Sequence, residues 1–265
     1  MAPNEIPLFH KLWQEQDIPT ALFEALLAEK ETGLSPSERA QALTQLARCQ
    51  GLSSEFDTAH ATLDAIPAAD RPAASTAHLR WLLEKGRVLR SSGKLQDPEM
   101  KACFLAAYTE ATEPKDDFFK VDAAHMLALI DPAGSPDDTA LGETWTAAAL
   151  RLARASANPN TQMWAASLLH NAAWDALDAG DPQAALAQFA GARELRKRAL
   201  DTDPSTKNRK TYRISRWAVA RALRECGENK EAYELQKTLW VEEETEPVKQ
   251  ELDILRKLLG VVDYD

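Results

Sequence analysis

The chain has 265 residues, and 45% of them are apolar, enough to build a sizeable core. Its formal charge of −10 weighs against nucleic acid as a general partner, and no run of 18 apolar residues is present to cross a membrane. The opening MAPNEIPLFHKLWQ lacks a basic and apolar leader pattern, and three scattered cysteines, Cys49, Cys103 and Cys226, provide neither a disulfide framework nor a zinc site, so a cytoplasmic protein is expected.

Glycine is scarce, with 10 residues, while Ala, Leu, Glu, Lys, Arg and Gln dominate; these lose little entropy on entering a helix. Period-two runs of Val, Ile and Thr are absent, so the chain is expected to be all-α. Breaks at Pro, Gly, Asp and Ser divide it into helix pairs at 5–16 with 18–31, 36–50 with 54–66, 75–92 with 97–112, and 116–130 with 137–156. Further pairs follow at 161–179 with 182–200 and 208–227 with 229–243, and a capping helix is expected at 247–259. Ser35-Pro36 ahead of Glu38, Asp97-Pro98, Asp181-Pro182, and Ser205 or Asn208 read as helix caps.

The pairs repeat one another. In LHNAAWDALDAGDPQAALAQFAGA, the residues Leu169, Ala172, Ala173, Ala176, Gly180, Ala185, Phe189 and Ala192 form a skeleton that recurs in Val219, Ala220, Leu223, Gly227, Ala232 and Leu239. Leu46, Ala47, Ala59, Leu63 and Ile66 repeat it earlier, and Gly86 and Gly93 hold the two glycine positions of the third pair. Small residues allow close helix approach, and Gly180 permits the turn. These residues resemble the tetratricopeptide repeat (TPR), a helix-turn-helix unit of about 34 residues. Gly180 and Gly227 lie 47 residues apart, and FAGARELRKRALDTDP looks like the lengthened repeat of the kinesin light chain type. The usual aromatics are mostly replaced by Leu, Ala or Gln. The resemblance covers 36–245, most clearly 161–243. It implies a right-handed α-α superhelix, a TPR-like solenoid of about six helix pairs, forming one domain over 1–265. Within it 1–34 would be an N-terminal pair and 246–265 a capping helix and tail.

In such a stack the first helix of each pair lines a concave groove. Counting by helical period from the core residues, the outward side chains are Arg80, Leu83, Arg87 and Arg90, then Phe118, Val121 and His125. The fifth pair contributes Ser167, His170, Asn171 and Trp174, and the sixth Ile214, Trp217, Arg221 and Arg224. Arg forks suit carboxylates and Trp supplies contact area, so an acidic or C-terminal peptide is the fitting ligand of a non-enzymatic scaffold or adaptor. The resemblance adds that Asn171 sits at the sixth motif position, where peptide-binding relatives place an Asn that bonds the ligand backbone. Gln45, Glu84, Asp122 and Ala218 occupy that position in the other pairs, and the Lys/Asn pattern of chaperone-tail clamps is missing. Tryptophans at these spacings are more often core than ligand contacts, and His125 and His170 more often structural than ligand-binding.

Residues 1–70 carry eleven acids against four bases and 228–265 eleven against five, whereas 193–225 carry eleven bases against four acids. This segment, with Tyr212 and Trp217, offers two alternatives: a nucleic-acid contact through 193–224, or a homo-oligomer in which it meets the acidic end of another copy. Phosphate-binding glycine loops, nucleophile elbows and paired metal-binding histidines are absent from the sequence, so neither catalysis nor a cofactor is expected. Asp116-Asp117 and Asp137-Asp138 read as helix-start carboxylates.

Overall fold

The computed structural model describes residues 33–94, 96–131 and 143–261. The expected pair at 5–16 and 18–31, the start of the 137–156 helix with Asp137 and Asp138, and the last four residues lie outside them. Among the described residues there is no strand, and no helix is long and apolar enough to cross a membrane.

The chain folds into two compact units, 1–162 and 163–265. The first contains α1 (Pro36–Leu52), α2 (Phe56–Asp64), α3 (Thr76–Ser91), α4 (Pro98–Glu110), α5 (Asp117–Ile130) and α6 (Trp145–Ala155). The second contains α7 (Trp164–Asp178), α8 (Pro182–Thr202), α9 (Thr206–Glu225), α10 (Asn229–Glu242) and α11 (Glu246–Leu259). Within each unit consecutive helices pack on one another, and α1 also packs on α3.

Local chemistry places most of the boundaries. Ser35 and Glu38 form a reciprocal capping box ahead of Pro36. The carboxylates of Asp97 and Asp181 accept the backbone N–H groups of Glu99 and Ala184 at 2.9 and 3.0 Å, and Ser205 caps α9 through Asn208. Asp116 departs from the expectation: it precedes α5 without a side-chain cap bond and is buried, and burial raises its carboxyl above the usual range. The α7–α8 and α9–α10 turns each place a glycine, Gly180 and Gly227, at positive φ, +78° and +86°.

The repeated skeleton is the core. Ala173, Ala185, Phe189, Val219, Leu223 and Ala232 form one buried cluster with Leu255 of α11, and Ala47, Ala59, Leu63 and Ile66 form another in the first unit. Cys49 and Cys103 are buried among apolar residues, where desolvation pushes their thiols up to about 11. Gly86 marks a close helix crossing: a Cβ there would stand 2.7 Å from the Phe104 ring, which is itself fully buried. Gly86→Ala should therefore destabilise the protein by about 1–3 kcal/mol, because the buried Phe104 ring or the α3 backbone must shift to admit the methyl group. An unchanged urea midpoint in this variant would contradict that packing.

Candidate functional site

Successive first helices carry equivalent positions at Gln45, Glu84, Asp122, Asn171 and Ala218, and three residues further on at Arg48, Arg87, His125, Trp174 and Arg221. On α11 the matching pair is Glu251 and Ile254. A spacing of three keeps both positions on one helix face.

In the first unit this face is tied together internally. Arg48 of α1 bonds Glu84 of α3 at 3.3 Å. Arg87 reaches both Glu84 on its own helix and Asp122 on α5, all three side chains being largely buried. Burial opposes the charge on Arg87, but Asp122 and Glu84 together outweigh it and hold the guanidinium above its ordinary pKa. Arg80 lies over the Phe119 ring at 5.4 Å. Arg90 is half-buried within reach of His125, whose pKa is lowered mainly by burial. Two residues expected on the open face are core instead: Leu83 and Val121 are 2% and 0% exposed. The apolar arc on these helices is wider than a single stripe, because each first helix packs against neighbours on both sides.

In the second unit the same face is built from aromatic rings. The Trp174 Nε1–H donates to His170 Nε2 at 3.1 Å, so the neutral imidazole carries its proton on Nδ1, which is buried and without an acceptor among the described residues. Both rings stand edge-on to the fully buried Phe189, with centroids 5.1 and 5.2 Å away. Trp217 of α9 lies 6.0 Å from Trp174 and donates to the Pro247 carbonyl. The Arg221 guanidinium lies 5.4 Å from the Trp174 ring and 6.0 Å from the Trp217 ring. Ser167 is exposed, Asn171 is half-exposed with no hydrogen bond among the described residues, and Ile214 is 41% exposed.

Two arginines share Glu251, which is buried in α11. Arg224 bonds it at 2.8 Å and also reaches Glu225, while Arg221 stands 3.5 Å away and keeps more than a third of its side chain exposed. Much of the basic segment is engaged in the same manner. Lys197 pairs with Asp201, Arg198 with Glu194, Arg213 with Glu243 and backbone carbonyls, and Arg216 with Glu242; Arg209 bonds the Pro204 carbonyl. Among the described residues no cluster of His, Cys, Asp and Glu could hold a metal ion.

Solved structures share this architecture. Crystallised, nearly identical TPR-like repeats of a kinesin light chain candidate from Podosopora anserina superpose with a TM-score of 0.52 at 16% identity, covering 86% of this chain and 99% of that one. A variant of that protein gives 0.53 at 16% identity, covering 86% and 98%. The fold is TPR-like. No protein-family model and no curated protein matches the sequence.

Two measurements test these geometries. Arg87→Met leaves Asp122 as an uncompensated buried charge and Glu84 with Arg48 alone, and should lower stability by about 3–5 kcal/mol, with much of it restored when Asp122→Asn is added. A urea midpoint unchanged by Arg87→Met would show that the three charges are not coupled. His170 is held near pKa 4, first by burial and then by the Arg196 charge, against 6.5 for an unperturbed imidazole. The unfolded chain therefore takes up a proton that the folded one refuses. His170 costs no stability above pH 6.5, and its contribution is lost progressively as pH falls from 6.5 to 4. The melting temperature should fall across that window, and His170→Gln should flatten the slope.

Proposed function

We propose that this chain is a non-enzymatic scaffold that binds an extended peptide segment of a partner protein through the α7/α9 face of the second unit. One observation carries the reading: Asn171 presents a half-buried, unpartnered side-chain amide one turn from Trp174, whose own N–H is taken by His170 and whose ring packs on Phe189. A mid-helix amide with free donor and acceptor can bond a ligand backbone, while the Trp174 and Trp217 edges and Ile214 supply contact area with little entropy to lose. Arg221 adds a preference for acidic ligands. Because Arg224 already neutralises Glu251 at the shorter distance, Arg221 can turn to a ligand carboxylate without stranding a buried charge.

This narrows the groove expected from the sequence. Arg87 and Arg224 hold buried carboxylates, and Arg80 is spread over Phe119, so these three serve the stack itself. Within the basic segment Arg213, Arg216 and Arg224 are held by carboxylates of the chain, which makes it a weaker candidate surface than the α7/α9 face. At neutral pH His170 is an unprotonated, weakly basic ring with its lone pair engaged by Trp174, a poor proton carrier. A soluble cytoplasmic adaptor fits all of this.

Panning a random-peptide display library against the protein tests the reading. Wild type should enrich a consensus, and Asn171→Ala and Trp174→Ala should each weaken the synthesised consensus peptide by about 5- to 50-fold while keeping the helical circular-dichroism spectrum. Binding undiminished in both variants would place the ligand elsewhere.

A further inference from the structure

Arg196 belongs to none of the paired charges. It projects from α8, the second helix of its pair, and its terminal nitrogen donates only a long 3.4 Å bond to the Thr211 carbonyl on α9. α8 packs on both α7 and α9, and the Arg196 charge also acts on His170 of α7. Every neighbouring arginine of α9 that reaches a side chain reaches a carboxylate: Arg213 has Glu243, Arg216 has Glu242, and Arg221 and Arg224 have Glu251. Arg196 has none. Burial lowers its pKa, and among the described residues it forms no ion pair with a carboxylate. The junction thus combines a partly desolvated cation with one weak bond, an imidazole Nδ1–H without an acceptor, and the open Asn171 amide one residue beyond His170.

From this convergence of α7, α8 and α9 we infer that Arg196 is the specificity-determining residue of the peptide face, anchoring a carboxylate of the bound peptide at one fixed position. A guanidinium half removed from water and lacking a carboxylate gains more from an incoming oxyanion than an exposed one, because less solvent screens the pair. A neutral residue at that ligand position would leave the cation as unsatisfied as before. The imidazole registers the event: a carboxylate beside Arg196 offsets the charge that, after burial, holds His170 deprotonated, so its pKa rises on binding. The inference rests on the peptide-binding reading above, with Asn171 and Trp174 holding the backbone and Arg196 choosing the side chain or terminus.

The test uses the random-peptide library with wild type, then the synthesised consensus and its amide counterpart, with the acid replaced by Asn or Gln or the terminus amidated. The expected result is an acid at one fixed position, whose neutralisation weakens binding to wild type by about tenfold or more but to Arg196→Gln by less than about twofold. His170 ring resonances should titrate at higher pH in the complex than in the free protein. An acid preference that survives Arg196→Gln, or a consensus without a fixed acid, would overturn the inference and leave the peptide reading intact. Failure to enrich any peptide would end both. Should Arg196→Gln not fold, the Arg196 Nε–H resonance of wild type decides: a shift with the acidic peptide and none with its amide counterpart supports the anchor, and equal behaviour refutes it.

Discussion

A large side chain on the second helix of a pair, seated against a small residue on the first, is the contact on which the rest of this structure depends. Phe104 fills the space that Gly86 leaves, Phe189 packs with Ala173, and Leu63 packs with Ala47. Each seat sets how closely two helices approach, and hence which flanking residues reach the next pair. Gln236 of α10 takes the slot that Phe189 holds in the preceding pair, fully buried and with neither amide atom bonded among the described residues. Such a group costs about 1–3 kcal/mol. The neighbouring cluster of Leu239, Val248 and Leu252, flanked by Trp217, Tyr233 and Trp240, supplies apolar burial of the size needed to offset it.

Once the spacing is set, a second regularity follows. The side chain three residues beyond each equivalent position reaches the equivalent position of the next first helix: Arg48 to Glu84, Arg87 to Asp122, and Arg221 to Glu251. A face that reads as cationic along the sequence is therefore largely neutral in space. Desolvated carboxylates need these arginines more than solvent-facing arginines need a ligand, so the pairs close internally.

This explains what the sequence made legible. Helix positions, caps, glycine turns and the buried skeleton depend on contacts inside one pair, at fixed short spacings, and Leu169, Ala173, Phe189, Leu223 and Leu239 lie where the pattern puts them. The open face depends on contacts between pairs, over separations of 35 and 36 residues for Asp122 with Arg87 and Glu84 with Arg48. No local pattern reports those. Leu83 and Val121 were assigned to the surface by counting from one core stripe, although their helices are packed on two sides. In the sequence Arg196 is one base of a basic run, because its contact with the Thr211 carbonyl crosses from one helix pair to the next.

The candidate site itself arises where the ladder of pairs is interrupted. Glu84, Asp122 and Glu251 each give the preceding helix an acid to hold, but Ala218 stands at that position on α9. The residue facing it along the repeat is Trp174 rather than an arginine, and it turns to rings, standing edge-on to Phe189, tilted against Trp217 and donating to His170. With no carboxylate there to pair, Asn171 keeps its amide open and Arg196 keeps its charge. The repeat thus departs from its own rule between α7 and α9, where, among the described residues, the first helices of the second unit meet through aromatic contact instead of paired charge.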